Sequence, residues 1–297
     1  MSIFTGSGVA IITPFTENNE INYNRVRELI EFHIEEGTDS IIICGTTGEA
    51  STLDDIEHRA LIKFAVEVVN GRVPLVAGTG SNDTTHGVHL SEYAENVGAD
   101  ALLCVTPYYN KASQEGLYRH FKAMADAVEI PIILYNVPSR TGCGLTVETV
   151  KRLSTFRNIV GIKEASGNIS YAAEIARQIP DIDIYSGNDD IIVPILSLGG
   201  KGVISVVANI MPKETHDIVN LFLEGKLEES RQLQLQMNEL INTLFIEVNP
   251  IPVKTAMNIL GYNVGHLRLP LCDMSETNTN ILREVMSRYS LKECAYE

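Results

Sequence analysis

Eight short apolar, β-rich runs mostly alternate with helical patterns along the sequence. Strands that alternate with helices form βαβ units and a parallel sheet. The runs are continuously apolar, as expected of strands covered on both faces. Eight such units fit a closed (β/α)8 TIM barrel of about 250 residues better than an open sheet. The runs begin near residues 8, 40, 74, 101, 131, 159, 183 and 202.

The ends of the pattern predict how the chain is divided. The first run, Gly8 to Thr13, is predicted to be a strand closed by Pro14. A doubly wound sheet is the rival fold, but no G-x-G-x-x-G follows this run. Beyond Pro212 the strand signals cease and helical patterning continues, with a break at 249–252. We therefore expect a catalytic barrel at 1–224 and a helical C-terminal extension at 225–297.

A lysine at the end of the sixth run is the principal catalytic candidate. The run Ile159–Ile162 leads into Lys163, and the fifth run ends in Tyr135, with Arg140 following in a Pro/Ser/Gly-rich stretch interpreted as a loop. Partial burial lowers a lysine pKa and makes the amine a nucleophile toward ketones. If the two runs are neighbouring parallel strands, amine, phenol and guanidinium share one sheet end. Together they suggest Schiff-base chemistry on a small keto acid.

Active sites of barrels lie at the C-terminal strand ends, and further polar residues fall there. Thr46 and Thr47 follow the second run within a Gly-Thr-Thr-Gly-Glu loop, whose backbone N–H groups are suited to a carboxylate. The Thr46 hydroxyl both donates and accepts, as a proton relay requires. Tyr108 and Tyr109 follow the fourth run. Arg140 is suited to a bidentate grip on a carboxylate.

Each candidate also has a purely structural interpretation. Taken alone, Lys163 is better explained by a side chain that snorkels from a strand end, and Tyr135 at the adjacent strand end is what favours catalysis. The two tyrosines are often packing residues, and an arginine in a loop is often simply solvated. The acidic stretch 187–190 is interpreted as a helix N-cap with acidic first-turn residues rather than a metal site. The seven histidines form no H-x-x-x-H ligand pair, so no metal is implied.

Charge and cysteine content exclude several functional classes. The formal net charge of -15 disfavours nucleic acid and anionic membrane surfaces as partners. The five cysteines form no C-x-x-C pair, which suggests reduced thiols in a cytoplasmic protein. The N-terminus has no basic segment of a signal peptide, and no apolar stretch approaches about 20 residues. Neither secretion nor membrane spanning is supported.

Taken together, five motifs in order along the whole barrel resemble the dihydrodipicolinate synthase family, also called 4-hydroxy-tetrahydrodipicolinate synthases. The motifs are Gly45-Thr46-Thr47-Gly48-Glu49, Thr106-Pro107-Tyr108-Tyr109-Asn110, Tyr135-Asn136-Val137-Pro138-Ser139-Arg140-Thr141-Gly142, Gly161-Ile162-Lys163-Glu164-Ala165-Ser166 and Gly202-Val203-Ile204-Ser205-Val206. The resemblance implies condensation of pyruvate with aspartate 4-semialdehyde, the first committed step toward diaminopimelate and lysine. It also implies a barrel with a helical C-terminal region and a homotetramer built as a dimer of dimers.

The resemblance also implies roles for the matching residues. Lys163 forms an imine with pyruvate, which loses a proton to give the enamine. A proton relay consists of Thr46, Tyr109 and Tyr135, with Tyr109 reaching into the neighbouring subunit's site. The resemblance implies no cofactor, because the lysine itself serves as the electron sink. The remaining assignments concern substrate binding. Thr46 and Thr47 hold the pyruvate carboxylate, the Ile204 carbonyl faces the same pocket, and Arg140 binds the carboxylate of the semialdehyde.

One departure from the family pattern concerns regulation. Family members inhibited by lysine usually carry a histidine and a glutamate where this chain has Asp55 and His86, although Ser51, His58, Asn82 and Tyr108 are retained. The loss of a carboxylate for the effector's ammonium predicts poor feedback inhibition by lysine.

Three other functions compete with this interpretation. N-acetylneuraminate lyases share the barrel, the lysine and the YxxP signature, but a sugar aldehyde offers no carboxylate to Arg140. A non-catalytic barrel would bind pyruvate-like acids with Lys163 as a simple anion contact, and saturable binding without turnover would support it. A metal-dependent aldolase is disfavoured by the absence of a ligand pattern.

Overall fold

Eight parallel strands form the centre of the molecule, and the computed structural model describes residues 2–294. The strands are β1 (Gly6–Ala10), β2 (Ser40–Ile43), β3 (Leu75–Gly78), β4 (Ala101–Val105), β5 (Ile132–Asn136), β6 (Ile159–Glu164), β7 (Asp183–Ser186) and β8 (Gly202–Ser205). Each pairs with the next in chain order, and β8 pairs with β1. The predicted closed (β/α)8 barrel is confirmed.

Helices surround the barrel and continue beyond it. They are α1 (Tyr23–Glu35), α2 (Asp55–Val69), α3 (Thr84–Asn96), α4 (Gln114–Ala127), α5 (Pro138–Thr141), α6 (Val147–Leu153), α7 (Ile169–Gln178), α8 (Ile192–Ser197), α9 (Pro212–Leu223), α10 (Leu227–Thr243), α11 (Ile251–Ile259) and α12 (Glu276–Met286). Several begin at strong N-caps. The Asp54 side chain accepts from the N–H groups of Ile56 and Glu57, and Glu57 completes a capping box.

Buried apolar side chains form two clusters. One lies between the strands and the helices, and Phe121 and Leu240 belong to it. The other contains Ile42, Ile133 and Tyr185, which alternate with outward-facing neighbours and fill the barrel interior. Among residues 2–294, none of the helices has the length and apolar character needed to cross a bilayer.

Two local predictions are wrong. The first strand covers Gly6–Ala10 rather than Gly8–Thr13, because the chain leaves the sheet and the Ile12 N–H donates to Asn209 Oδ1 instead. The Pro/Ser/Gly-rich stretch around Arg140 that is interpreted as a loop contains α5. Arg140 therefore lies on a single helical turn, with Pro138 at its first position and Gly142 at its C-terminus with φ of 71°.

The C-terminal helices pack directly on the barrel. The Ser230 hydroxyl of α10 donates to the Ile218 carbonyl of α9 at 2.7 Å, and both residues are buried. A break separates α10 from α11 as predicted, but it covers residues 244–250 rather than 249–252, and residues 251 and 252 begin α11. The boundary predicted between residues 224 and 225 lies between α9 and α10, and the division into two parts stays a prediction.

Candidate active site

Lys163 and Tyr135 are register partners on the adjacent parallel strands β5 and β6. Lys163 is 6% exposed, and its Nζ lies 4.5 Å from the centroid of the Tyr135 ring. Tyr135 belongs to the apolar cluster that fills the barrel interior. The two runs are thus neighbours, and the amine lies against an aromatic ring inside the barrel.

Burial dominates the ionisation of this pair. It lowers the pKa of Lys163 to about 7, with a smaller contribution in the same direction from the Arg140 guanidinium. The Asp189 carboxylate opposes that shift. Burial raises the pKa of the Tyr135 phenol, whereas Arg140 and hydrogen bonding with Thr46 lower it. Near neutral pH a large part of the Lys163 population is the free amine, and the phenol keeps its proton.

Asp189 is a carboxylate near Lys163 that the sequence places in a helix first turn without indicating its contact with the site. It lies in a short 3-10 turn after β7, is 2% exposed, and accepts from the N–H groups of Val206 and Val207 at 3.0 and 2.9 Å. Burial raises its pKa, and hydrogen bonding by Ser205 opposes this. As predicted, Asn188 is at the N-cap of this turn and Asp189 and Asp190 are its acidic first-turn residues, but the Asn188 side chain makes no capping hydrogen bond. The sequence signal that could have placed Asp189 at the site is an acidic residue in the turn after a strand, on the catalytic rim.

The Gly45–Glu49 loop is a compact turn after β2. The N–H groups of Gly48 and Glu49 donate to the carbonyls of Gly45 and Thr46, and Glu49 has a φ of 54°. Thr46 is half-buried and Thr47 is buried. Asn249 Nδ2 donates to Thr47 Oγ1 at 2.9 Å. Side chains far along the chain therefore hold this loop in place.

A cavity of about 390 Å³ opens at the C-terminal rim of the barrel. Thr46, Tyr135 and Arg140 line it, so the structure brings these three predicted residues together. Arg140 is exposed, and its Nη2 donates to the Asn249 carbonyl at 3.2 Å. Tyr108 also lines the cavity, together with Ser51, Asp55, His58 and His86. An anionic substrate held here would lie between a hydroxyl, a phenol and a guanidinium.

Tyr109 and Ile204 are not among the residues that line this cavity. Tyr109 is 90% exposed with a φ of 71°, and within this chain it is not part of the cavity lining. Ile204 lies on β8, pairs with Gly8 of β1, and is buried in the same interior cluster as Tyr135. The structure therefore groups Lys163, Tyr135, Thr46 and Arg140, and leaves Tyr109 projecting from the surface.

A buried ion pair also holds the Gly45–Glu49 loop. Lys254 Nζ of α11 donates to Glu49 Oε1 at 2.8 Å, and both side chains are 1% exposed. The second oxygen of Glu49 accepts from the Arg268 N–H at 3.0 Å. Sequence reasoning found neither Lys254 nor Asn249, because separations of 205 and 202 residues from their partners carry no local pattern.

A buried lysine amine of lowered pKa, beside a phenol at the C-terminal rim of a barrel, defines the site of a lysine-dependent lyase. Within residues 2–294, histidine, cysteine and acidic side chains form no cluster of three or more that could hold a metal ion. The sequence profile described as the Dihydrodipicolinate synthetase family matches residues 3–289. The chain belongs to this family.

Individual relatives are similar to this protein along nearly the full chain. The chain is 62% identical over 290 residues to a 4-hydroxy-tetrahydrodipicolinate synthase of Acetivibrio thermocellus, covering 97% of this chain and 98% of that protein. The crystal structure of dihydrodipicolinate synthase from Aquifex aeolicus has a TM-score of 0.96 at 47% identity, covering 98% and 99% of the two chains. A monomeric dihydrodipicolinate synthase variant has a TM-score of 0.93 at 39% identity, covering 96% of each chain.

Proposed function

We propose that this protein condenses pyruvate with L-aspartate 4-semialdehyde to give 4-hydroxy-tetrahydrodipicolinate, in lysine and diaminopimelate biosynthesis. The observation that carries the proposal is the Lys163 amine, which is buried beside Tyr135 with a pKa lowered to about 7. Membership of the family, at high identity over almost the whole chain, supports the same reaction.

In the proposed mechanism, the free amine of Lys163 adds to the pyruvate ketone and water leaves, which forms an imine. The imine loses a proton from the methyl carbon and becomes an enamine. The enamine carbon attacks the aldehyde of the semialdehyde, and the resulting alkoxide takes up a proton. The semialdehyde's own amino group then displaces Lys163 and closes the ring. The imine nitrogen accepts the electron pair released when the methyl proton leaves, so the reaction requires no cofactor.

The surrounding residues supply protons and charge. Tyr135 lies against the Lys163 amine, and its phenol keeps a proton that it can exchange with Thr46. Thr46 and Thr47, with the loop that carries them, bind the pyruvate carboxylate, and the Ile204 carbonyl faces the same substrate. Arg140 lies at the cavity wall and binds the carboxylate of the semialdehyde.

Assembly and location complete the proposal. We propose a homotetramer, arranged as a dimer of dimers, in which Tyr109 completes the relay of a neighbouring subunit. The support is a phenol that is 90% exposed and held by a left-handed backbone beside the cavity-lining Tyr108. Sedimentation of the wild type and Tyr109→Phe, with matched activity measurements, tests this arrangement. The free cysteines, two of them buried, are compatible with the proposed cytoplasmic location.

The reaction is tested by trapping the imine. The protein is incubated with pyruvate, reduced with borohydride and digested, and the adduct is located by peptide mass spectrometry. We expect an adduct on Lys163 and turnover when aspartate semialdehyde is added. Lys163→Met should form neither, whereas Lys63→Met, at an exposed lysine, should behave as the wild type. A folded wild-type protein without an adduct would overturn the proposal.

A further inference from the structure

Asn249 touches both groups that are proposed to bind substrate carboxylates. It lies between α10 and α11 and is 5% exposed. Its side-chain Nδ2 donates to Thr47 Oγ1 at 2.9 Å, and its main-chain carbonyl accepts from Arg140 Nη2 at 3.2 Å. One residue of the C-terminal region thus bridges the loop after β2 and the turn after β5.

Packing alone does not account for an amide at this position. Asn249 Oδ1 is buried and has no hydrogen-bond partner among residues 2–294. A buried acceptor without a partner lowers stability, and an apolar side chain of similar size avoids that cost. The feature that an apolar side chain cannot reproduce is the N–H that Asn249 directs at Thr47.

The bond to Asn249 determines which way the Thr47 hydroxyl points its proton. A threonine hydroxyl has one proton to donate and two lone pairs that accept. Since Asn249 Nδ2 can only donate, the hydroxyl must act as its acceptor, and the proton of Thr47 is left free for another partner. A carboxylate only accepts, so a hydroxyl oriented in this way is ready to bind one.

The region that carries Asn249 is itself firmly attached to the same loop. Lys254, one turn into α11, is bonded to Glu49 and to the carbonyls of Thr13 and His266. Asn249 and Lys254 therefore contact Thr47 and Glu49, two residues apart, from one side. This attachment limits the positions that the Asn249 amide can take.

We propose that Asn249 is a positioning residue for the pyruvate carboxylate, acting through the Thr47 hydroxyl. The inference rests on the proposed function, because it assigns Thr47 to that carboxylate. It adds a residue of the C-terminal region to the substrate site. The Arg140 contact uses the main-chain carbonyl, which side-chain substitutions leave in place.

The test measures the pyruvate concentration that half-saturates imine trapping. We expect Asn249→Ala to raise this pyruvate concentration about tenfold. That is the effect typical of losing one hydrogen bond that helps to bind a charged ligand. Asn249→Asp keeps the volume but replaces the donor by an acceptor, so it should weaken pyruvate binding at least as much. The KM for the semialdehyde in Asn249→Ala should stay within about threefold of the wild type, because hydrogen bonding by the carbonyl is retained.

The route through Thr47 is tested by a double-mutant cycle. In a Thr47→Val background, Asn249→Ala should change the half-saturating pyruvate concentration by less than about twofold. Asn258→Ala is the matched control, since that amide bonds Gly265 and Val264 of the same region and should leave pyruvate binding unchanged. Thermal melting confirms which variants are folded, and if Asn249→Asp does not fold, Asn249→Ala and the cycle decide.

The outcomes separate the two proposals. No adduct in the wild type would overturn the proposed function. A wild-type adduct with unchanged pyruvate dependence in Asn249→Ala would overturn only the inference about Asn249. The same conclusion would follow if Asn249→Ala weakened pyruvate binding equally in the Thr47→Val background.

Discussion

Lys163 lies beside Tyr135 on paired strands, and a side-chain hydrogen bond joins the next pair of residues along those strands. Asn136 and Glu164 are the next register partners on β5 and β6, and Asn136 Nδ2 donates to Glu164 Oε2 at 2.7 Å. Successive strand side chains point to opposite faces, so this hydrogen bond lies outside the barrel wall while the amine and the phenol lie inside. Glu164 therefore does not pair with Lys163.

The pH dependence of imine formation should reveal the state of Lys163. Only the free amine attacks a ketone, and burial lowers the pKa of Lys163 to about 7. Protonated amine predominates below this value, so the rate of imine formation should rise as the pH passes through about 7 and then level off. Rapid quenching with borohydride at a series of pH values gives the profile. A midpoint at about 10, the pKa of an ordinary lysine, would contradict the assignment.

Asp189→Asn should move that midpoint to lower pH. The Asp189 carboxylate raises the pKa of Lys163, so removing its charge leaves burial less opposed. An asparagine still offers an oxygen to the N–H groups of Val206 and Val207. Asp190→Asn, at the exposed neighbouring position, is the control and should leave the profile unchanged. Identical midpoints for the wild type and Asp189→Asn would show that the carboxylate does not act on the amine.

Arg140→Ala should impair the reaction with the semialdehyde far more than imine formation with pyruvate. Loss of a charged hydrogen-bonding partner should lower kcat/KM for the semialdehyde about 10- to 100-fold. Imine formation with pyruvate, measured above the titration range of Lys163, should change less than about threefold. Arg140→Lys keeps the charge but not the planar fork, so we expect an intermediate loss. Equal losses in both steps would remove the argument for a semialdehyde carboxylate at Arg140.

Lys254→Met should destabilise the fold by about 3–5 kcal/mol, because it leaves Glu49 buried without its cation. Urea unfolding at fixed protein concentration provides the measurement. Lys63→Met breaks an exposed pair with Glu67 and should change stability by less than about 1 kcal/mol. Adding Glu49→Leu to Lys254→Met should recover part of the loss. Similar effects of Lys254→Met and Lys63→Met would mean that burial of the Glu49 pair contributes little.

Lysine should be a weak feedback inhibitor. Asp55 and His86 both line the cavity, and His86 Nε2 lies 2.9 Å from Asp55 Oδ1, so the nearby carboxylate already has a partner. Steady-state assays with added lysine should show little inhibition at submillimolar concentrations. The double substitution D55H/H86E, which restores the histidine and glutamate of inhibited relatives, should increase sensitivity. Strong submillimolar inhibition of the wild type would contradict the prediction.

The sequence predicts the features whose signals are local. Apolar runs mark the strands, and the residue that follows each run identifies the rim, which is why Lys163, Tyr135, Thr46 and Arg140 were found. The α5 turn was missed because Pro138 and Gly142 are frequent in loops as well as at helix ends. Asn249 and Lys254 were missed because they reach their partners only through the folded arrangement of the C-terminal helices.

The bond between Glu49 and Lys254 also has a consequence for the order of synthesis. It joins residues 205 apart, and Lys254 leaves the ribosome after all eight strands. Chains fold from the N-terminus as they emerge, so a nascent chain can assemble its strands before the cation that holds the Gly45–Glu49 loop exists. Lys163 is translated before Lys254, so the residue proposed to form the imine precedes the residue that holds the proposed carboxylate-binding loop. If the proposed function holds, the growing polypeptide completes its pyruvate-binding loop only near the end of translation.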